Sequence, residues 1–427
     1  MSTVTIIPVP KPITASVTIP GSLSYTIRAL NLAAMTDGTV TIHNPLYSDD
    51  TDAMMNALET LGITVSRNED TVLVEGSIKD VQHKEYLIDI NISGRTARSL
   101  LGLLCIAPGT KTVTCQPGFK KRPIGELVLG LRQLGAHIEY LEKEGFLPVK
   151  IYQKELKPGT VTMKGSISSQ FFSSIMMIAP LIGEISIIVK GNQTSKSFID
   201  VTIETMKAFG VDVTNNNYQK YLIPGGQKYT ASEFIVEADA IAAGYFWGIA
   251  AVTGSTITVQ NLPPTSKQGD VGFAEILHKM GCTVEKTTNT ITVTGPQKLT
   301  PITANMNTMP DSAQTLAVLA AFADGTTTIE GLDNLRIKET DRIKAPETEL
   351  KKMNIQTSST HDSFTVTGGK PTGASIETYG DHRMAMSFAI AGTAIPGVTI
   401  LESEVVSKSF PLFWDVLKKL GISIQTQ

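Results

Sequence analysis

The stretch Leu58–Val65, LETLGITV, ends an amphipathic run at Gly62 and starts a β-branched one at Ile63. That is a surface helix closed by a glycine C-cap and followed at once by a strand. The same pattern returns as LRQLGAHI around Gly135, TMKAFGVDV around Gly210, LHKMGCTV around Gly281 and LKKLGISI around Gly421. LKKMNIQT puts Asn354 at the same point, and asparagine is the other residue that tolerates the left-handed conformation. A second punctuation precedes each copy, a glycine followed by a short β-branched run. Its glycines are Gly38, Gly109, Gly183, Gly254, Gly325 and Gly397, spaced by about 72 residues.

Each repeat opens with a strand, a turn of small or polar residues, and a helix. These opening helices (ALNLAAM, SLLGLLCIA, FFSSIMMIA, GYFWGIAAV, TLAVLAAFA and AMSFAIAGT) are apolar nearly all round, so burial is expected. The unit reads strand, buried helix, strand, surface-side helix, strand, strand. Six units in 427 residues predict a two-lobed inside-out α/β fold, with three repeats per domain, helices inside and sheets outside. The expected domains are residues 22–239, and 1–21 together with 240–427, joined by two hinge crossovers. The N-terminal strand before Gly21 is expected to complete the second domain.

Composition narrows the function. The chain is 41% apolar and 18% charged, which suits a globular protein. Its 37 basic and 40 acidic residues leave a net charge of −3, so no global field draws it to nucleic acid, and an anion site must be local. Three separated cysteines without CxxC suit a reducing compartment, and no signal peptide is expected. The longest apolar stretches, around Leu100–Pro108 and Ile241–Val252, fall short of the roughly 20 residues a bilayer requires. A cytoplasmic protein with no membrane or nucleic-acid partner and no nucleotide cofactor is expected. Zinc spacing, HExxH, GxGxxG after a strand, the P-loop and GxSxG are all absent.

If the opening helices of a domain start at one end, several positive helix termini face one space and form an anion site. The turns there carry Ser24 and Arg28, Gly94, Arg95 and Arg98, Ser168, Ser169 and Gln170, Asp239, Asp311, and His382 with Arg383. The serines also read as ordinary N-caps. The loops before the surface-side helices carry Lys120-Lys121-Arg122, Lys196, Lys267, Lys338 with Arg342, and Lys408. One such cation is usually a solvated charge, but five at equivalent points suggest a shared anionic ligand. Arg122, Arg342 and Arg383 are the best candidates, because guanidinium binds carboxylate and phosphate bidentately. Asp311 at a helix start, and Glu339 between Lys338 and Arg342, read either as structural ion pairs or as proton-transfer groups.

The series SSQF (168–171), TSKSFID (194–200), QGD (268–270), PDSA (310–313), RIKETDR (336–342), GDHRMAM (380–386) and SKSFP (407–411), with KRPIG at 121–125, resembles the enolpyruvyl transferase family. The resemblance spans the chain and implies two domains of three repeats that close over the substrates. It implies transfer of the enolpyruvyl group of phosphoenolpyruvate to the 5-hydroxyl of shikimate 3-phosphate, with release of phosphate. By motif, Ser24, Arg28, Ser168, Ser169, Gln170, Ser195, Asp311, Asn334 and Lys338 match positions that hold shikimate 3-phosphate. Gly94, Gln170, Arg122, Arg342, Arg383 and Lys408 match those for phosphoenolpyruvate, with Arg95 a further candidate there. Asp311 and Glu339 match the acid–base pair.

This chain departs from the family's pattern in the first domain. Leu23 stands where the family has a lysine that touches both substrates. Ile92 replaces an asparagine, Arg95 a threonine, Phe198 a tyrosine, and Ile27 the usual Asn or His. Gly118 stands where close relatives often carry arginine. Either Arg95 restores the charge lost at Leu23, or the chain is a diverged paralogue. Such a paralogue would bind a shikimate-like acid without turnover, or eliminate phosphate or water from it.

Overall fold

The computed structural model describes residues 2–426. The chain forms two compact units. One is Gly21–Val236; the other comprises residues up to Pro20 and from Glu237 onward. The chain passes between them slightly before the crossovers expected at 21/22 and 239/240.

Six four-stranded sheets are present among the described residues, one per repeat. The second repeat shows the plan. Strand Glu85–Asp89 leads into helix Gly94–Ile106, strand Thr110–Thr114 into helix Gly125–Gln133, and strands His137–Tyr140 and Val149–Tyr152 close the unit. The first two strands run parallel, with Glu85 opposite Thr110, as a crossover helix requires. Val149–Tyr152 then pairs antiparallel with Thr110–Thr114, and His137–Tyr140 takes the edge. Burial alternates along Thr110–Thr114, so one sheet face packs on the helices and the other meets solvent. The six helix-closing residues carry left-handed backbone, and Asn354, at φ 62°, does the work of the five glycines.

The sheets at the crossovers are completed from distant sequence. Two N-terminal strands occur where one was expected. Thr14–Val17 pairs parallel with Thr256–Gln260 in the fourth repeat, and Thr3–Ile6 inserts between Thr399–Leu401 and Ile424–Thr426 in the sixth. The opening strand of the first repeat is Glu233–Ile235, which lies parallel to Thr39–His43. The first sheet of each unit is thereby completed by a strand distant in sequence.

The opening helices are buried, as their all-round apolarity requires. Every residue of Leu23–Ala33 is buried, as are twelve of the fourteen in Ala240–Thr253 named from Ala240 to Ala251. In the Gly21–Val236 unit a short polar seam ties the three together. Asn31 donates to the Ser99 hydroxyl at 2.7 Å, and Ser174 donates to the Ser99 carbonyl at 3.4 Å while accepting from the Gly102 amide at 3.2 Å. Buried polar groups that satisfy one another in this way fix the helix registers. In the other unit Thr315 and Ser387 meet at 3.1 Å between two opening helices. No helix among the described residues is long and apolar enough to cross a membrane.

Candidate active site

In the Gly21–Val236 unit, the first two turns of the three opening helices line one small cavity. Ser24 and Arg28 come from the first, Arg95 from the second, Gln170 and Ser173 from the third, and Phe198 from the following surface-side helix. Arg28 is only 7% exposed and held at three points. Its Nε donates to the Thr202 hydroxyl at 2.8 Å, Nη1 to the Ser24 carbonyl at 2.8 Å and Nη2 to the Phe198 carbonyl at 2.9 Å. Burial, then the positive charge of Arg95, lowers its pKa to about 9, so it stays cationic at neutral pH. Arg95 donates to the Ser24 hydroxyl at 3.0 Å, and its guanidinium lies 5.7 Å from the centre of the Phe198 ring.

Next to this cavity lies a second group of cations. Arg98 donates to the Gln170 side-chain oxygen at 3.0 Å, and its guanidinium faces the Phe171 and Phe119 rings. Arg122 also lies over Phe119, 5.1 Å from the ring centre. A Cβ on Gly94 would sit 2.7–2.8 Å from the Arg122 guanidinium, so only glycine lets that group lie against the helix start. Ser168 caps the third helix by accepting from the Gln170 amide at 3.3 Å, the adjoining Ser169 is buried, and so is Ser195 at the start of helix Lys196–Ala208. The ordinary N-cap reading therefore holds at Ser168.

The other unit carries a buried network of acids and bases. Arg342 lies at its centre, 4% exposed. Its Nη1 reaches Asp311 at 3.0 Å, its Nη2 Glu339 at 2.7 Å, and its Nε Asp381 at 2.7 Å. Arg383 donates to the second Asp311 oxygen at 3.0 Å and approaches the Tyr245 hydroxyl at 3.4 Å. Lys408 reaches Glu339 at 3.2 Å. Burial opposes the charge of both arginines, but the surrounding carboxylates outweigh it and raise their pKa values. Burial, with Arg383 and Lys408 adding like charge, holds His382 well below the usual imidazole range, so it is neutral. Asn334 is buried and Lys338 half-buried in the adjoining loop.

The structure thus brings Asp311, Glu339, Arg342, Arg383 and Lys408 into one network, and gathers Ser24, Arg28, Gln170 and Arg95 around one cavity. Arg122 and Gly94 meet in the latter unit. The loop cations do not behave alike. Lys120 pairs with exposed Glu142, Lys196 lies over the Tyr218 ring and Lys267 is exposed, so at these three points the solvated-charge reading holds. Two site groups escaped sequence reasoning as participants. Asp381 also caps its own helix, and its signal was its place in GDHRMAM. Asp270 belongs to QGD; the Ser312 hydroxyl donates to it at 2.6 Å.

Leu23 is 3% exposed and packs in the hydrophobic core. Ile27 is equally buried, and Ile92 is half-buried.

A protein whose inside-out repeats carry such paired cation and carboxylate clusters is of the enolpyruvyl transferase class. A family model described as EPSP synthase (3-phosphoshikimate 1-carboxyvinyltransferase) matches residues 7–417, and the chain belongs to that family. It is 42% identical over 427 residues to the 3-phosphoshikimate 1-carboxyvinyltransferase of Sulfurovum sp. (strain NBC37-1), covering 99% of this chain and 100% of that one. The Vibrio atlanticus (strain LGP32) protein of the same name is 41% identical over 430 residues, with 99% and 100% covered. Among solved structures, EPSP synthase from Acinetobacter baumannii superposes with a TM-score of 0.85 at 27% identity, covering both chains fully. The enolpyruvyl transferase NikO from Streptomyces tendae gives 0.81 at 17% identity over 100% of this chain and 99% of that one, a likeness of fold alone.

Proposed function

We propose that this chain transfers the enolpyruvyl group of phosphoenolpyruvate to the 5-hydroxyl of shikimate 3-phosphate and releases phosphate. The observation that carries the reading is the Asp311 carboxylate, buried and gripped at both oxygens by Arg342 and Arg383. A carboxylate so placed has a fixed direction and sits beside the cations that an anionic co-substrate needs.

In the proposed reaction, Asp311 accepts the proton of the acceptor hydroxyl as its oxygen bonds to C2 of phosphoenolpyruvate. Glu339 delivers a proton to the C3 methylene, giving a tetrahedral ketal. Glu339, now a carboxylate, takes a proton back from C3, the C–H pair re-forms the enol double bond, and phosphate leaves with the electrons of its bond to C2. Arg342, Arg383 and Lys408 hold the phosphoenolpyruvate anions, with Arg122, Gly94 and Gln170 as the first domain's contribution. Ser24, Arg28, Ser168, Ser169, Gln170, Ser195, Asn334 and Lys338 hold the acceptor. The two compact units act as the two domains, the chain works as a monomer, and its three unpaired cysteines suit the cytoplasm.

Release of phosphate should require phosphoenolpyruvate and shikimate 3-phosphate together. Release from either alone, or none from both, contradicts the proposal. One observation favours a second reading, binding without turnover: Leu23 is buried in the core and brings no cation to the site. Binding of both ligands with no phosphate release would support it.

A further inference from the structure

Within RIKETDR (336–342), Lys338, Glu339 and Arg342 have roles in the proposed reaction, while Arg336 and Asp341 have none. Those two residues form an ion pair, Arg336 Nη1 to Asp341 Oδ2 at 2.8 Å, that closes the loop between them. A backbone bond from the Arg342 amide to the Leu335 carbonyl at 3.1 Å closes it a second time. The Arg336 guanidinium reaches further. Its Nε donates to the His361 carbonyl at 3.0 Å and its Nη2 to the Thr360 carbonyl, in the turn between strands Gln356–Ser359 and Phe364–Thr367. The other Asp341 oxygen accepts from the Ile343 and Lys344 amides at 3.0 and 2.9 Å, at the start of helix Lys344–Lys352. Loop, hairpin and helix thus meet at one planar group with all its nitrogens in use, which a lysine could not match.

The two side chains of the pair remain 27% and 35% exposed, and ion pairs so placed add little to stability. What the pair fixes is direction. Glu339 lies inside the closed loop, with Oε2 on Arg342 Nη2 at 2.7 Å and Oε1 on Lys408 at 3.2 Å. Arg342 does not rely on the clamp, because Asp311 and Asp381 hold it from other elements. Glu339 is carried by the loop backbone, so the clamp sets where its carboxylate starts from. We propose that Arg336, paired with Asp341, is a positioning residue for proton transfer, acting through Glu339. The inference rests on the transferase reading for the step that Glu339 performs. A carboxyl that gives a proton to C3 and takes one back must keep its distance and angle to that carbon in both steps, and a shift of about 1 Å can cost about 10²-fold in rate.

The test is steady-state kinetics and rapid-quench single turnovers of wild type, Arg336→Gln, Arg336→Lys, Asp341→Asn and the double variant Arg336→Gln with Asp341→Asn. Thermal melting of each variant confirms that it is folded. Arg336→Gln is expected to lower kcat, and the rate at which the ketal forms in a single turnover, roughly 10- to 100-fold. KM for phosphoenolpyruvate should stay within about threefold, since Arg342 and Arg383 keep their own partners. Asp341→Asn keeps an oxygen for the helix amides and should lose kcat by a similar factor. The double variant should lose no more than either alone, because both changes break one contact. Arg336→Lys keeps a charge for Asp341 without the hairpin contacts, so it should recover part of kcat. If Arg336→Gln does not fold, Asp341→Asn and Arg336→Lys decide by the same measures. Wild-type kcat in the folded variants, additive losses in the double variant, or a fall in kcat matched by a rise in KM and a lowered melting temperature overturns the inference while leaving the transferase reading intact. Absence of both ketal and product in the wild type overturns both.

Discussion

Arg342 and Asp381 form a two-point ion pair, Nε to Oδ2 at 2.7 Å and Nη2 to Oδ1 at 3.2 Å, with Asp381 completely buried. The pair sets the plane of the guanidinium, and that plane decides where its remaining N–H groups reach Asp311 and Glu339. Asp381 is thus a positioning residue, acting through Arg342. Asp381→Asn should raise KM for phosphoenolpyruvate by about 10-fold or more while moving KM for the acceptor much less, since a charged hydrogen bond is worth about 1.5–3 kcal/mol. Equal losses in both constants, with a lowered melting temperature, would reduce Asp381 to a structural role.

Asp311 has the opposite signature. Asp311→Asn keeps the volume and removes the proton acceptor, so turnover should fall by about 10²–10⁴-fold or more. Phosphoenolpyruvate affinity should not weaken, because Arg342 and Arg383 lose a competing carboxylate. Steady-state kinetics with calorimetry separates the two effects, and undiminished turnover removes Asp311 from the chemistry.

Gly94 tests a steric statement. In Gly94→Ala the new methyl would meet the Arg122 guanidinium at 2.7–2.8 Å, so the flexible arginine end must move away. KM for phosphoenolpyruvate should rise by roughly 10-fold, the cost of one displaced ionic contact, with stability nearly unchanged. A variant with wild-type KM would show that Arg122 does not serve that substrate.

Asp270 supplies a pH dependence. Burial, then the negative charge of Asp311, pushes its carboxyl up to about 7, against the Ser312 hydrogen bond and the Arg383 charge, with Asp239 adding a further negative charge. The folded protein therefore keeps a proton that the unfolded chain gives up near pH 4. Stability from this group is full below about pH 4, falls as pH rises towards 7 by up to about 1.4 kcal/mol per unit, and is flat above. Asp270→Asn lacks that fall, so its melting temperature relative to wild type should climb between pH 4 and 7 and then level off. A gap that stays constant or narrows with pH would contradict this.

The repeat plan was legible because its signals are local. A left-handed helix cap at Gly62 or Asn354 and an all-apolar helix are decided within a few residues. The exchange of Glu233–Ile235 into the first sheet, and of two N-terminal strands into the fourth and sixth, was not fully legible, since strand pairing is settled by partners far apart in sequence. The site divides similarly. Motif spelling pointed to Asp311, Glu339, Arg342 and Arg383, all of which meet. It could not tell that Lys120 and Lys196 turn to nearby surface partners, or that Arg95 turns to Ser24, because side-chain direction depends on packing.

Enolpyruvyl transfer by this chain has to proceed with Leu23 bringing no cation to the site. The most direct measurement is nuclear magnetic resonance of wild type with ¹³C-labelled phosphoenolpyruvate and shikimate 3-phosphate. The labelled vinyl carbons are expected to move to an enol ether attached at the acceptor's 5-oxygen, with one phosphate released per ether formed. Labelled phosphoenolpyruvate that stays unchanged while both ligands are bound, or phosphate released without the ether, would contradict it.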